Sequence, residues 1–519
     1  MRLFYVWTVM QRGIGHLRAG GNNLYAQVLA LFAAGEQGQV LDRQNLASMF
    51  QDSAGATPVY MPGQGLADPP IGLALDVKHG LVRGAENVTT QDLTNAAWVS
   101  GGAFGNYAGS TATTDTITST GLSGSRSFRF SVTPGQTVEG TASVTGVSGT
   151  TGRLRMAFGT SGAVLIGGDF NSESATGGNT SRVVGVAPAT AAFCELSLTV
   201  DGAAGGSARF TGISAKLVPG NHEIQATAAS RPTLSGRYNQ LLATATLSTQ
   251  SITTTAQPYT LTFKGPGTVT LSGTSTAGPL IGTGAGNRVS LAFTPTEGSL
   301  TLTVTGSVTE ADCRLTADLG TLPVYQRIID ASNYDTAGFP LFAKWDGVDD
   351  GMATAATVDF TGTDKMFACA GLTKLSDAAL GIYSELSALS TTANPGSFRL
   401  MAPESTNVAF TATGTSSAQI ASGAGYPAPL SAILTGTANI AGPLTTLRVT
   451  GTVFSTVGAL GTGNFGNYTL YTARRGGTAS PFKGRDYARV IRGALNSAAQ
   501  TTVSEQWIAS KMSGLVTLP

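Results

Sequence analysis

Lys344-Trp345-Asp346-Gly347-Val348-Asp349-Asp350-Gly351-Met352 divides the chain. Upstream lies a long series of Gly/Thr/Ser-rich segments. Downstream runs one continuous segment that ends in an amphipathic helix. The Asp- and Gly-rich centre, flanked by apolar residues, reads as a tight turn between two strands. It is taken as the first hairpin of an outer β-sandwich whose opening residues lie far upstream.

The composition supports an all-β chain. Gly occurs 68 times among 519 residues, with abundant Thr and Ser, and strong helix formers are scarce over most of the length. Such residues suit turns and solvated strand faces. Hydrophobic residues at 41% suffice for packed cores, so the Gly/Thr/Ser texture is not a disordered tract. The length implies about three domains. With 31 basic against 30 acidic residues the net charge is +1, which leaves no electrostatic footprint for nucleic acid or an anionic membrane. Cys194, Cys313 and Cys369 lack metal-ligand spacing and are odd in number, so they are read as buried free thiols.

Working outward, period-two spacing marks two inserted modules. In residues 86–218, Phe128, Phe130 and Val132 alternate before Pro134-Gly135-Gln136, and Leu196, Leu198 and Val200 alternate before Asp201-Gly202. In residues 238–320, Tyr259, Leu261 and Phe263, then Val289, Leu291 and Phe293, then Leu300, Leu302 and Val304 do the same. Between the inserts, Pro219 to Leu234 reads as a strand of the outer domain. The outer domain is thus assembled from 39–85, 219–237 and 321–519. Residues 1–38 form an N-terminal segment with a docking helix from Leu24 to Ala34, capped by Asn22 or Asn23 and stopped by Gly35. The same apolar run, after Arg12 and Arg18, has the outline of a signal-peptide core, though Gln27 interrupts it. Leu3–Met10 is too short to span a bilayer. Near the end, Thr502-Val503-Ser504-Glu505 has the capping-box pattern, followed by a stripe of Val503, Trp507, Ile508 and Met512 and a stop at Gly514.

Four segments carry a family resemblance: Leu31-Phe32-Ala33-Ala34-Gly35-Glu36-Gln37-Gly38, then Met49 through Val59 (MFQDSAGATPV), then Gly220-Asn221-His222 leading to Ala229-Ser230-Arg231-Pro232, then Trp345-Asp346-Gly347-Val348-Asp349-Asp350. In that order they resemble tailed-bacteriophage and prophage virion proteins with a laminin-G-like (concanavalin-type) domain. The segment from Gly265 to Thr305, with Gly267-Thr268-Val269-Thr270-Leu271-Ser272-Gly273 and Phe293-Thr294-Pro295, resembles a sandwich module common in phage proteins. So does the tail Arg489-Val490-Ile491-Arg492-Gly493-Ala494. The resemblance covers nearly everything after Leu29. It departs at Val40-Leu41-Asp42-Arg43, taken as the first turns of the outer domain, where relatives usually carry an aromatic and an acidic residue. It implies an all-β, multi-domain β-sandwich: a split laminin-G-like jelly roll with a carbohydrate-binding-module-like insert at 86–218, a second small sandwich at 238–320, and short terminal helices.

Chemistry-bearing patterns are sparse. His16, His79 and His222 fall in different units and are read as hydrogen-bonding residues. Gly159-Thr160-Ser161-Gly162-Ala163 lacks the last Gly of a nucleophile elbow. Glu36 and Glu385 are carboxylates of the type a glycosidase pairs, yet nothing in the sequence places two together. Asp346, Asp349 and Asp350 are hard oxygen donors of the kind Ca²⁺ takes, and equally the acids of a solvated turn; the turn is the reading adopted. Trp345 is read as a core residue rather than a sugar-stacking one. Arg474-Arg475-Gly476-Gly477 and Lys483-Gly484-Arg485 form a basic patch too short for nucleic acid. No catalytic, cofactor or metal residue is assigned.

The expectation is therefore a non-enzymatic virion protein, tail-associated or a head-surface appendage, contacting other virion proteins. It is expected to be a homo-oligomer, by analogy a trimer, and to meet host-surface glycans without nucleic acid or membrane insertion. The alternatives are a secreted bacterial adhesin and a polysaccharide depolymerase.

Overall fold

The computed structural model describes residues 23–519, except 54, 56, 63–67, 82, 101–109, 122, 148–149, 163, 165, 167–169, 172–178, 189, 202–203, 237–238, 320–322, 331–332, 336–337, 389–393, 403–405, 416–417 and 443. Leu3–Met10, Arg12, His16, Arg18, Asn22, Ala163 and Gly202 lie outside them. The chain is all-β, 50% strand and 7% helix, and forms several antiparallel sheets stacked as sandwiches.

The largest sandwich draws its strands from three stretches of chain. One sheet runs in the order Thr233–Gly236, Leu341–Asp346, Lys483–Arg492, Lys365–Lys374, Leu430–Asn439, Leu444–Val449, Thr452–Val457. Gly38–Asp42 also pairs with Lys483–Arg492, Gly38 opposite Arg492 and Asp42 opposite Ala488. The opening of the chain and its last strand therefore share a ladder. The facing sheet runs Met49–Phe50, Leu73–Ala74, Glu223–Ile224, Met352–Thr354, Asn467–Thr472, Gly381–Ser387, Ser397–Ala402, Val408–Thr413, Ala418–Gly423. Between them lies one apolar core that includes Leu41, Trp345, Tyr383, Phe398, Phe410 and Leu434. Trp345 is 1% exposed, the core position expected of it.

Three expectations about this sandwich are corrected. The stretch Asp346–Gly351 is no hairpin. Leu341–Asp346 pairs in the first sheet and Met352–Thr354 in the second, so the stretch crosses from sheet to sheet. Likewise Pro219–Leu234 is two strands, Glu223–Ile224 in the second sheet and Thr233–Gly236 in the first, joined over a short 3₁₀ turn at Ala228–Ser230. The two crossings run side by side, with the Gly351 amide donating to the Ser230 carbonyl at 3.2 Å. Turn residues signal a reversal but not which sheet the next strand joins. Val40–Asp42 also proves to be strand rather than turn.

Helices cover the outer face of the first sheet, which explains why Lys365–Lys374 loses its period-two pattern. Met366, Ala368 and Ala370 face the sandwich core, while Phe367 and Cys369 face the helices. The N-terminal helix spans Leu24–Ala30, capped by the Asn23 side chain on the Ala26 amide. It is shorter than expected, because residues 31–33 bond three residues back and tighten the last turn. The C-terminal helix spans Ala498–Met512. Its capping box is Ser497 with Gln500, not Thr502 with Glu505. Glu505 is buried instead, held by Arg448 Nε at 2.9 Å and the Thr435 hydroxyl at 2.8 Å. Trp507, Ile508 and Met512 lie against the sheet, so closely that a Cβ on Gly371 would stand 2.5 Å from Ile508.

The inserts pack as sandwiches of their own. Residues 99–218 form two five-stranded sheets around a core that contains Phe128, Leu196, Leu198 and Val200. Residues 250–315 form a four-stranded and a three-stranded sheet around Leu261, Phe263, Leu300 and Leu302. The first insert leans on the outer sandwich: the Arg182 guanidinium lies 4.4 Å from the Phe50 ring centre, and Glu139 bridges Arg182 to Arg83. Cys194, Cys313 and Cys369 are buried and unpaired.

Candidate functional site

At the paired crossings the structure brings together the three acids singled out in the sequence. One carboxylate oxygen from each of Asp346, Asp349 and Asp350 lies within 4.8 Å of the others. Asp346 is exposed, Asp349 intermediate and Asp350 buried. Local bonding shapes the group. Asp346 Oδ1 accepts the amides of Val348, Asp349 and Asp350 at 2.7, 3.3 and 3.4 Å, and Asp350 Oδ2 accepts the Asp346 amide at 2.9 Å. Such reciprocal capture is why Asp dominates tight turns. Asp349 Oδ2 also accepts the Ser230 hydroxyl at 2.9 Å, tying one crossing to the other.

One oxygen from each of these three is close enough to share a hard cation, and Ca²⁺ takes six to eight oxygens in all. Two carbonyls of the same corner are already used: Asp349 O accepts from Arg474 at 3.0 Å, and Gly351 O accepts from the Gln225 side chain. The corner is held as a turn by its own amides and by the Ser230, Gln225 and Arg474 side chains.

Asp350 is the strained member. Burial, with repulsion from Asp346 and Asp349 added, pushes its carboxyl up to about 6, against the pull of the Asp346 amide. The folded chain then holds a proton where the unfolded chain has lost it. This contribution to stability is complete below the ordinary Asp range, about 3.9, and falls as pH rises through about 6. Asp350→Asn keeps the acceptor for the Asp346 amide and removes the charge. It is expected to raise the unfolding free energy at pH 7 by about 1–3 kcal/mol and to flatten the profile between about pH 4 and 6. Denaturant melts at both pH values check this; no gain at pH 7 would mean that the charge is solvated.

Deeper in the sandwich lies a buried ionic network that the sequence did not disclose. Arg43 Nε donates to Asp486 at 3.0 Å, and its far nitrogen stands 3.6 Å from Glu223. Arg489 binds Glu223, Gln39 and the hydroxyls of Thr472 and Ser384. Tyr383 donates its hydroxyl to Asp486 at 2.7 Å. Two cations thus meet two anions, all at 1% exposure or less. The neighbouring motif Gly220-Asn221-His222 closes on Asp76. The Asn221 amide donates to the Asp76 carboxylate at 2.8 Å, and the Asp76 amide donates to His222 Nδ1 at 2.8 Å. His222 Nε2 donates to the Val218 carbonyl at 2.9 Å, and burial holds this imidazole below its usual pKa. Gly220 has φ +146, and a Cβ there would stand 2.9 Å from Asp76 and His222. A small residue is required.

The remaining candidates stay apart. His79 is exposed, away from the buried His222. Glu36 binds Arg492, while Glu385 accepts the Gly476 amide at 2.8 Å beside Arg475. Arg474 is committed to the carbonyls of Asp349 and Thr478, and Arg485 pairs with Asp318 at 2.7 Å. No helix among the described residues is long and apolar enough to cross a membrane.

No protein-family model matches the sequence, and no curated protein is significantly similar to it. Solved structures similar to parts of the chain include the Ruminococcus gnavus IT-sialidase CBM40 bound to α2,3-sialyllactose, 12% identical, covering 28% of this chain and 83% of that one, with a TM-score of 0.24. Another is the enzymatically active domain of tailspike protein 4 of bacteriophage CBA120, 13% identical over 25% of this chain and 20% of that one, TM-score 0.21. A third is the binding domain of botulinum neurotoxin DC in complex with rat synaptotagmin II, 10% identical over 33% and 42%, TM-score 0.26. Likenesses this slight assign neither a family nor an activity.

Proposed function

We propose that this chain is a non-enzymatic structural protein of a tailed-bacteriophage particle, tail-associated or on the head surface, whose outer sandwich meets host-surface glycans. One observation carries the reading: segments that bear the virion-protein resemblance converge in space. Gly220-Asn221-His222 closes on Asp76 and on Gly38, whose carbonyl accepts from Asn221 at 2.7 Å, and Ser230 binds Asp349 of the Trp345–Asp350 segment. The same residues that resemble the family in order are those that knot the split sandwich together. Its partners would be other virion proteins and copies of itself, a trimer by analogy.

The N-terminal helix weighs against the secreted-adhesin alternative. Tyr25 stacks on Trp507 with ring centres 6.2 Å apart and donates its hydroxyl to the Val77 carbonyl at 3.0 Å. Cleavage near Gly35 would strip that cover from both. Immunogold imaging of particles with antibody raised against this chain is expected to label the tail or head surface, and the labelled chain to bind host cells. A mature N-terminus near Gly35 in a secreted fraction, with unlabelled particles, would sink the proposal.

A further inference from the structure

One edge of the outer sandwich ends open. The first sheet closes on Thr452–Val457, and among the described residues no strand pairs beyond it. The sheet's opposite edge is covered, since the Leu234 amide of Thr233–Gly236 donates to the Pro69 carbonyl at 2.8 Å. The facing sheet's edge, Ala418–Gly423, is capped where the Thr456 hydroxyl donates to the Ile420 carbonyl at 2.6 Å. Thr450 and Gly451, with φ 46° and 93°, make the two-residue turn between Val449 and Thr452, and the pair that closes such a turn is hydrogen-bonded. The Thr450 amide donates the other way, to the Ile433 carbonyl at 2.8 Å, which fixes the same alternation. Thr452, Phe454 and Thr456 therefore turn their backbone groups to Leu444–Val449, and Val453, Ser455 and Val457 turn theirs to solvent.

The side chains match the backbone. Phe454 packs on the core, whereas Val453 and Val457 stand on the outer face at 55% and 74% exposure, with Leu444 opposite Val457 at 46%. An exposed edge is ordinarily blunted by a charge, a proline or a bulge. Thr-Val-Phe-Ser-Thr-Val carries no charge and no proline, and its ladder with Leu444–Val449 runs without a shift. Arg448, opposite Val453, is already bound to Glu505. Such an edge fits a second copy of itself. A twofold axis at Ser455 lays two copies antiparallel, Ser455 opposite its own counterpart and Val453 of each opposite Val457 of the other. About six hydrogen bonds then join the outward amides and carbonyls. Both valine pairs stay on one face, and no like charges meet at the axis. Moving the axis to either valine leaves fewer outward groups paired.

We propose that Thr452–Val457 is a contact between copies of this chain, joining two first sheets into one continuous sheet across a twofold axis. The inference rests on the reading above that the chain meets copies of itself. It gives that contact a place, with twofold symmetry instead of the threefold suggested by analogy. Sedimentation equilibrium of the full chain is expected to show monomer and dimer with a dissociation constant of roughly 1–100 µM, because a six-residue edge is smaller than a standard interface. Ser455→Pro removes an outward amide where an edge strand tolerates proline, and Val453→Lys adds the charge that the edge lacks. Each should weaken the dimer at least tenfold. Ile281→Lys, on an exposed residue of the second insert, should leave it unchanged. Circular dichroism establishes that the variants fold. The register is read with thiols. Hydrogen-bonded antiparallel partners stand about 5.5 Å apart at Cα, within disulfide reach. With glutathione disulfide as oxidant, itself reduced to two glutathione thiols, Ser455→Cys should form a covalent dimer on its own. Val453→Cys and Val457→Cys should do so only when mixed, and the natural cysteines are buried. A chain that stays monomeric at roughly 300 µM overturns both this contact and the self-association beneath it. Self-association of any order that survives Ser455→Pro and Val453→Lys overturns this contact alone. Cross-linking of Val453→Cys with itself as fast as with Val457→Cys overturns the twofold register.

Discussion

Replacing Arg489 with Met is expected to cost about 3–5 kcal/mol of unfolding free energy, the usual penalty for removing one member of a buried charge pair. The loss falls on what stays behind. Glu223 would keep its burial and lose the guanidinium that binds it, and Gln39, Thr472 and Ser384 would lose a shared donor. Burial alone would raise the Glu223 pKa, yet Arg489 first and Arg43 next hold it below the usual carboxylate range. Its stabilising contribution is therefore complete above the ordinary Glu pKa and is lost as pH falls through the lower folded value. In the variant that acid sensitivity should weaken, because Glu223 no longer starts from a depressed pKa. Urea melts at pH 7 and pH 4 separate the two effects. A loss under 1 kcal/mol at pH 7 would mean that water enters the network and that closure does not depend on it.

Trp507→Ala should be comparably damaging, about 3–5 kcal/mol, through the cavity it leaves between the helix and the sheet. Trp507 is buried with Ile508 and Met512 against Phe367, Cys369 and Val490. It also stacks on Tyr25, so the variant should loosen the N-terminal helix along with the C-terminal one. Amide exchange would show this as faster exchange at residues 26–32 as well as 498–512. Faster exchange at the C-terminal helix alone would mean that the two helices pack on the sheet independently.

Both effects arise from elements whose visibility in the sequence differed. The helical stripe of Trp507, Ile508 and Met512 was plain from spacing, as were the alternating strands around Leu196 and Leu261. The start of the helix was not, because Ser497-x-x-Gln500 and Thr502-x-x-Glu505 both fit a capping box. Arg448, fifty-seven positions from Glu505, decides between them by taking the glutamate for itself. The corner at Asp346–Asp350 was legible as a turn and illegible as a crossing between sheets.

The sequence by itself determined what neighbouring residues decide together: strand texture, apolar period, the amphipathic terminal helix and the tight Asp-Gly corner. Only the tertiary structure decided which strands share a sheet and which charges meet, Arg43 with Asp486 across 443 positions and Arg489 with Gln39 across 450. Local patterns arise from torsions and from contacts within a few residues. A buried ion pair exists only once the chain has closed, when water has left and each charge has no other partner to turn to.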